Sequence, residues 1–230
     1  MCIGTKQKNC NLKSFLKDNA LFYSIYLLVV LIVSYYLLNY DKVTIHHSIN
    51  QLVGVKWIDS FYKYFTHIGD GITAVLIGII LLFKNVRNGL FVLFSYALAG
   101  GTAAIIKNSI NYTRPHHMFV YYQKHIKLNL IDGVEVLGEN SFPSGHTTTA
   151  FALFTSLALI VKNQFLKFLF IILAFNAAYS RMHLSQHWLV DVTAGSMIGI
   201  IYATLLYFVF YCNQKVEEKF NHPLLNKKAS

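Results

Sequence analysis

The sequence predicts an all-α fold, a polytopic membrane bundle of about six transmembrane helices, and three observations predict it. Hydrophobic residues make up 55% of the 230 positions and charged residues only 13%. The mean hydropathy is +0.44. The apolar residues come in blocks near the length of a bilayer span, bounded by charges, rather than in amphipathic stripes. A soluble core needs fewer apolar residues and a larger charged surface, which excludes that class.

Taken in order, residues 1–20 are basic and polar and read as a cytoplasmic segment. The apolar block after them, Leu21–Leu38, lacks a small-residue cleavage site and reads as the first retained span, not a signal peptide. A stretch from His46 to Asp70 mixes apolar, polar and aromatic residues, which suits a helix lying at the interface or a compact loop. Ile68–Phe83 is the second span and Leu90–Ile106 the third, where Gly100–Gly101 and Ala103–Ala104 suggest close helix packing. The longest connection, Lys107 to Pro143, holds the densest polar chemistry, and function commonly sits on loops carried by rigid scaffolds. Thr147–Val161, Phe165–Tyr179 and Leu189–Tyr211 complete the set, giving a membrane domain at 21–212 and a cytoplasmic tail at 213–230. Cys2, Cys10 and Cys212 have no CxxC spacing and suggest neither a disulfide framework nor a zinc site.

Charge sets the orientation. With the N-terminus inside, twelve of the 20 Lys and Arg residues fall on inside segments. That bias is the mark of cytoplasmic loops. The net charge of +10 is therefore mostly a topology signal. A nucleic-acid partner would call for a basic soluble face interleaved with aromatics, which is not seen. The Lys107–Pro143 connection and the turn before the last span then share the outer face.

Those two segments hold three polar clusters. Lys107 and Arg114 stand seven residues apart, close to two helical turns, so they share a face if the third helix extends that far. A point charge beside a planar bidentate donor suits a phosphoryl group, although both residues could also snorkel to lipid headgroups. The second cluster, Ser141-Phe-Pro-Ser144-Gly145-His146, feeds a helix start whose free N–H groups and dipole bind anions. Gly145 lets backbone approach a phosphate, Ser144 adds a hydroxyl, and His146 brings an acid–base group. In the third, Ser180-Arg181 is followed by His187 and Asp191. The i, i+4 spacing puts that pair on one helix face, where the carboxylate can fix the imidazole tautomer and leave the other nitrogen free to attack. A carboxylate inside an apolar span is costly and usually functional.

KNSINYTRP, PSGH and SRMHLSQHWLVD, in that order, match the three-part signature of the type 2 phosphatidic acid phosphatase superfamily. The sequence resembles its membrane branch over nearly all its length. The resemblance implies a lipid phosphatase working through phosphohistidine: His187 as nucleophile, Asp191 orienting it, and His146 as leaving-group acid and then base for water. It implies a phosphate clamp of Lys107, Arg114 and Arg181 joined by Ser144 and the Gly145 backbone. It implies no metal and no cofactor, and no carboxylate cluster competes for magnesium. Membrane lipids and a lipid phosphate are the implied partners: a polyprenyl diphosphate, phosphatidic acid, phosphatidylglycerol phosphate or a lipid A phosphate. A bacterial plasma membrane with the site facing outward is the implied setting.

Three alternatives share these residues. A lipid phosphotransferase would pass the phosphoryl group to an alcohol, and a non-catalytic lipid-binding protein would keep only the fold. Vanadium haloperoxidases carry the signature on larger, soluble chains. His116, His117 and His125, with His46, His47 and His67, invite a metal reading, but adjacent histidines in an outer loop are more often interfacial or substrate-contacting. His183 reads as loop packing, and Trp188 with the tyrosines as an interfacial aromatic belt.

Overall fold

The computed structural model describes residues 11–135 and 138–225. Cys2 and Cys10 lie outside that range. The elements are α1 (Leu12–Asn39), α2 (Lys42–Asn50), α3 (Lys56–Phe65), a 3-10 turn (Thr66–Gly69), α4 (Gly71–Lys84), α5 (Val86–Ser109), α6 (Pro115–Tyr121), α7 (Gly145–Ile160), α8 (Gln164–His183), α9 (Leu189–Tyr211) and α10 (Gln214–Phe220). No strand occurs among the described residues.

Every expected span falls on a helix, but the count of six needs refinement. Helices α1, α5, α8 and α9 are long and apolar enough to cross a bilayer, and α3 with the 3-10 turn and α4 makes a fifth if that bent pair is one span. The bend there is 53°. Helix α7, at 16 residues, reaches only about 24 Å, short of a hydrocarbon core of about 30 Å. It can be short because other helices cover it: α7 packs against α5, α8 and α9 and buries most of its side chains. The chain is an integral membrane protein.

Close packing arises at a different pair of glycines from the pair expected. Gly101 faces open space and Gly100 makes only an ordinary contact with Thr149. The tight crossing lies between α7 and α9, where a Cβ on Gly195 would stand 2.7 Å from the Ser144 carbonyl and one on Gly199 2.6 Å from the Thr148 carbonyl. Helices without side chains at a crossing bring their backbones together, the usual device where lipid gives no hydrophobic drive between helices.

Peripheral pieces are tied on by polar bonds. Helix α1 is largely lipid-facing and is held by Tyr23 to Thr204 at 2.6 Å and Tyr26 to Ser196 at 3.1 Å. The region expected to lie at the interface forms α2 and the amphipathic α3, with Trp57 and Tyr64 exposed. His183 Nε2 meets Asp59 Oδ1 at 2.8 Å, docking α3 on α8. The C-terminal segment folds back: Arg87 pairs with Glu217 at 3.1 Å, and the Val86 N–H donates to the His222 carbonyl at 2.9 Å. Cys212 is disulfide-bonded, which its spacing did not suggest.

Candidate active site

Four separate pieces of chain meet at one end of the bundle: the 3-10 turn, the segment after α5, the start of α7 and the α8–α9 loop. The α7 start behaves as its sequence dictates. Ser144 is the N-cap, its Oγ accepting from the Thr147 N–H and the Thr147 hydroxyl. That leaves the Ser144 hydroxyl proton to donate outward. Nothing lies within 4 Å of where a Gly145 Cβ would stand, so an anion can approach the first N–H groups of the helix.

Helix α8 ends at His183 and the chain reverses through Ser185, a non-glycine residue at φ 51. His187 therefore sits in the loop, one residue before the Trp188 cap of α9, and not on the helix face that the spacing suggested. The pairing with Asp191 survives by another route. Asp191, in the first turn of α9, turns back so that Oδ2 accepts from the Trp188 N–H at 2.8 Å and faces His187 Nδ1 at 3.4 Å. The Ser141 hydroxyl donates to the same oxygen and lies 3.4 Å from the same ring nitrogen. Asp191 is fully buried and His187 nearly so. With Nδ1 turned to this pair, Nε2 is the nitrogen available to a substrate.

The cations surround that histidine. Arg181 NH1 donates to the Thr66 hydroxyl at 2.7 Å, while its buried Nε has no partner among the described residues. Arg114 does not continue α5, which stops at Ser109; it is the cap before α6, reached through an extended stretch. Its guanidinium plane is fixed by the Glu139 carbonyl at 2.9 Å and by the Gln186 carbonyl and side chain at 3.0 Å each. Lys107, in the last turn of α5, is partly exposed. Burial first, and then the charges of Arg181, Arg114 and Lys107, hold His187 well below the usual histidine range. The imidazole is therefore neutral and its lone pair is free.

His146, the second residue of α7, points Nε2 at Asp70 Oδ1, 2.5 Å away. Its side chain is 34% exposed, so this edge of the site opens outward. Asp70 and Thr66 are not singled out by the sequence, and Ser141 enters there only as the first residue of the second cluster, with no role of its own. Asp70 precedes an apolar helix and reads as an ordinary cap, while Ser141 adjoins the PSGH turn with no spacing to mark it. The other histidines go to separate partners: His67 to Asp70, His117 to Glu139, and His46 to Ser185.

The chain is similar to known proteins in sequence and in fold. Over 176 residues the chain is 28% identical to undecaprenyl-diphosphatase BcrC of Bacillus subtilis, covering 75% of this chain and 84% of that one. Over 125 residues it is 29% identical to the lipid A 1-phosphatase of Rhizobium johnstonii, covering 53% of this chain and only 48% of the relative. The crystal structure of Aquifex aeolicus LpxE superposes with a TM-score of 0.61 at 23% identity, over 73% of this chain and 96% of that one. The PAP2 superfamily profile matches residues 88–215, which take in all three polar clusters, and the chain belongs to the PAP2 superfamily.

Proposed function

We propose that this protein is a membrane phosphatase that hydrolyses a lipid phosphate or diphosphate through a phosphohistidine on His187. The observation that carries the reading is the buried, neutral His187, oriented by Asp191 and ringed by Arg181, Arg114 and Lys107 beside the open start of α7. In the first step Nε2 bonds to phosphorus as the bond to the leaving oxygen breaks, and protonated His146 gives that oxygen its proton. In the second, His146 takes a proton from water, whose oxygen bonds to phosphorus as the bond to Nε2 breaks. The three cations and the Ser144–Gly145 donors stabilise the charge spread over the equatorial oxygens. No step calls for a metal.

The lipid is a polyprenyl diphosphate or a phospholipid monoester in the outer leaflet of a bacterial plasma membrane. The outward orientation rests on the Lys and Arg bias, and the headgroup preference is assigned to residues 115–140, which lie between the first and second polar clusters. Purified protein tested against undecaprenyl diphosphate, phosphatidylglycerol phosphate, phosphatidic acid and a lipid A phosphate, with released phosphate measured, decides the substrate. Phosphate appearing on an added lipid alcohol instead of in solution would replace hydrolysis with transfer, and no turnover of any of the four would overturn the reading.

A further inference from the structure

Asp70 occupies a position where aspartate normally has one task. It is the N-cap of α4, and a capping carboxylate ordinarily accepts from the second or third N–H of its helix. Here it makes no such bond. Both oxygens turn to imidazoles: Oδ1 lies 2.5 Å from His146 Nε2, and Oδ2 lies 2.8 Å from His67 Nδ1. The backbone is arranged to bring them together. The Thr149 hydroxyl of α7 donates to the Gly69 carbonyl, and a Cβ on Gly69 would stand 3.0 Å from the His146 carbonyl, so a side chain there would press the 3-10 turn away from α7.

Building on the phosphatase reading, we propose that Asp70 is the positioning residue of the acid–base group, holding the His146 ring through Nε2 and favouring its protonated form, with the exposed His67 fixing the second oxygen. The ring then presents Nδ1 to the substrate. Burial comes first in holding His146 below the usual histidine range, followed by the charge of Arg181 on α8 and, less strongly, Lys107 on α5, and the Asp70 carboxylate is the group that opposes them. Without it the ring is held lower still, and less of it carries a proton for the leaving oxygen. The pairing mirrors the one between Asp191 and His187: each histidine has its own carboxylate, one serving attack and the other departure.

The test uses the full chain with Asp70→Asn and Asp70→Ser; the serine restores an ordinary cap to α4 and keeps the fold if the asparagine does not. Two substrates are compared, a lipid alkyl phosphate and p-nitrophenyl phosphate, whose phenolate leaves without a proton. Both variants are expected to lose about tenfold or more in kcat/KM on the alkyl phosphate and much less on the aryl phosphate. The alkaline limb of the profile moves to lower pH, while competitive inhibition by inorganic phosphate stays within about twofold, because Asp70 does not bind the phosphoryl group. Equal losses on both substrates with an unmoved pH profile, or full activity in either variant, would overturn the proposal. A wild-type protein inactive on both substrates would instead remove the phosphatase reading beneath it.

Discussion

The Ser144 N–H donates to the Asp191 carbonyl at 3.1 Å, joining the turn that starts α7 to the first turn of α9. Ser141, three residues earlier, adds a side-chain bond to the Asp191 carboxylate. The two pieces of the pocket are thus joined into one corner, and Ser141→Ala removes one of its ties. Losing a hydrogen bond to a charged group on this scale, about 1.5–3 kcal/mol, predicts a fall in kcat of about tenfold or more. Steady-state kinetics should show it with phosphate affinity little changed, since Ser141 faces the histidine and not the anion.

Removal of the two histidines separates their roles. His187→Ala is expected to abolish turnover, because no other group in the pocket is placed to bond phosphorus. His146→Ala is expected to slow it by about 100-fold or more. Labelled phosphate trapped after an acid-avoiding quench belongs on His187; label on a serine or an aspartate would refute the mechanism. Excess EDTA should leave the rate intact, and vanadate should inhibit by mimicking the transition state.

Acid affects stability through a different histidine. Burial, and secondarily the neighbouring His47, push His46 down to about 3, as it packs against Trp188 and Phe119. The folded state thus holds His46 neutral where the unfolded chain, titrating near about 6.5, binds a proton. Stability rises with pH wherever the unfolded state binds more protons, so this contribution is complete above about 6.5 and is lost progressively below it. His187, depressed in the same direction, adds to the effect. Thermal unfolding in detergent at pH 7.5 and pH 5 is expected to show a lower midpoint in acid, and His46→Asn should flatten the difference.

Topology is testable with two introduced thiols. Lys124 lies in the connection assigned to the outer face and Lys162 between α7 and α8 on the inner one; both are exposed. A membrane-impermeant maleimide applied to intact cells should label Lys124→Cys above the parent background and leave Lys162→Cys silent. The reverse pattern would move the site to the cytoplasmic leaflet.

The sequence made the helices and the eight candidate residues legible because each carries a local signal: long apolar blocks, a Pro-Ser-Gly-His turn, an aspartate inside an apolar span. Relationships between elements were less readable. Seven-residue spacing put Lys107 and Arg114 on one helix face, yet α5 stops at Ser109 and Arg114 arrives through extended backbone. Four-residue spacing put His187 and Asp191 on one face, yet His187 precedes the helix and the carboxylate folds back to it. In both cases the residues approach one another by a route other than the shared helix face, since helix ends depend on tertiary contacts that periodicity does not contain. Asp70 escaped notice for a related reason: an aspartate before an apolar helix looks like a cap, and only the approach of α7 gives it another use.

The residues of the corner come from opposite ends of the chain; the Arg181–Thr66 bond alone spans 115 positions. Because α9 is the last long helix, His187 and Asp191 leave the ribosome after every other part of the pocket. During synthesis, which delivers N-terminal segments first, Lys107, Arg114 and the α7 start reach the membrane without an oriented nucleophile. The corner closes only when α9 seats Gly195 under the Ser144 carbonyl. On the proposed mechanism, a nascent or prematurely terminated chain ending before Leu189 lacks Asp191 and is expected to be inert, so that insertion of the final helix would be the moment of activation.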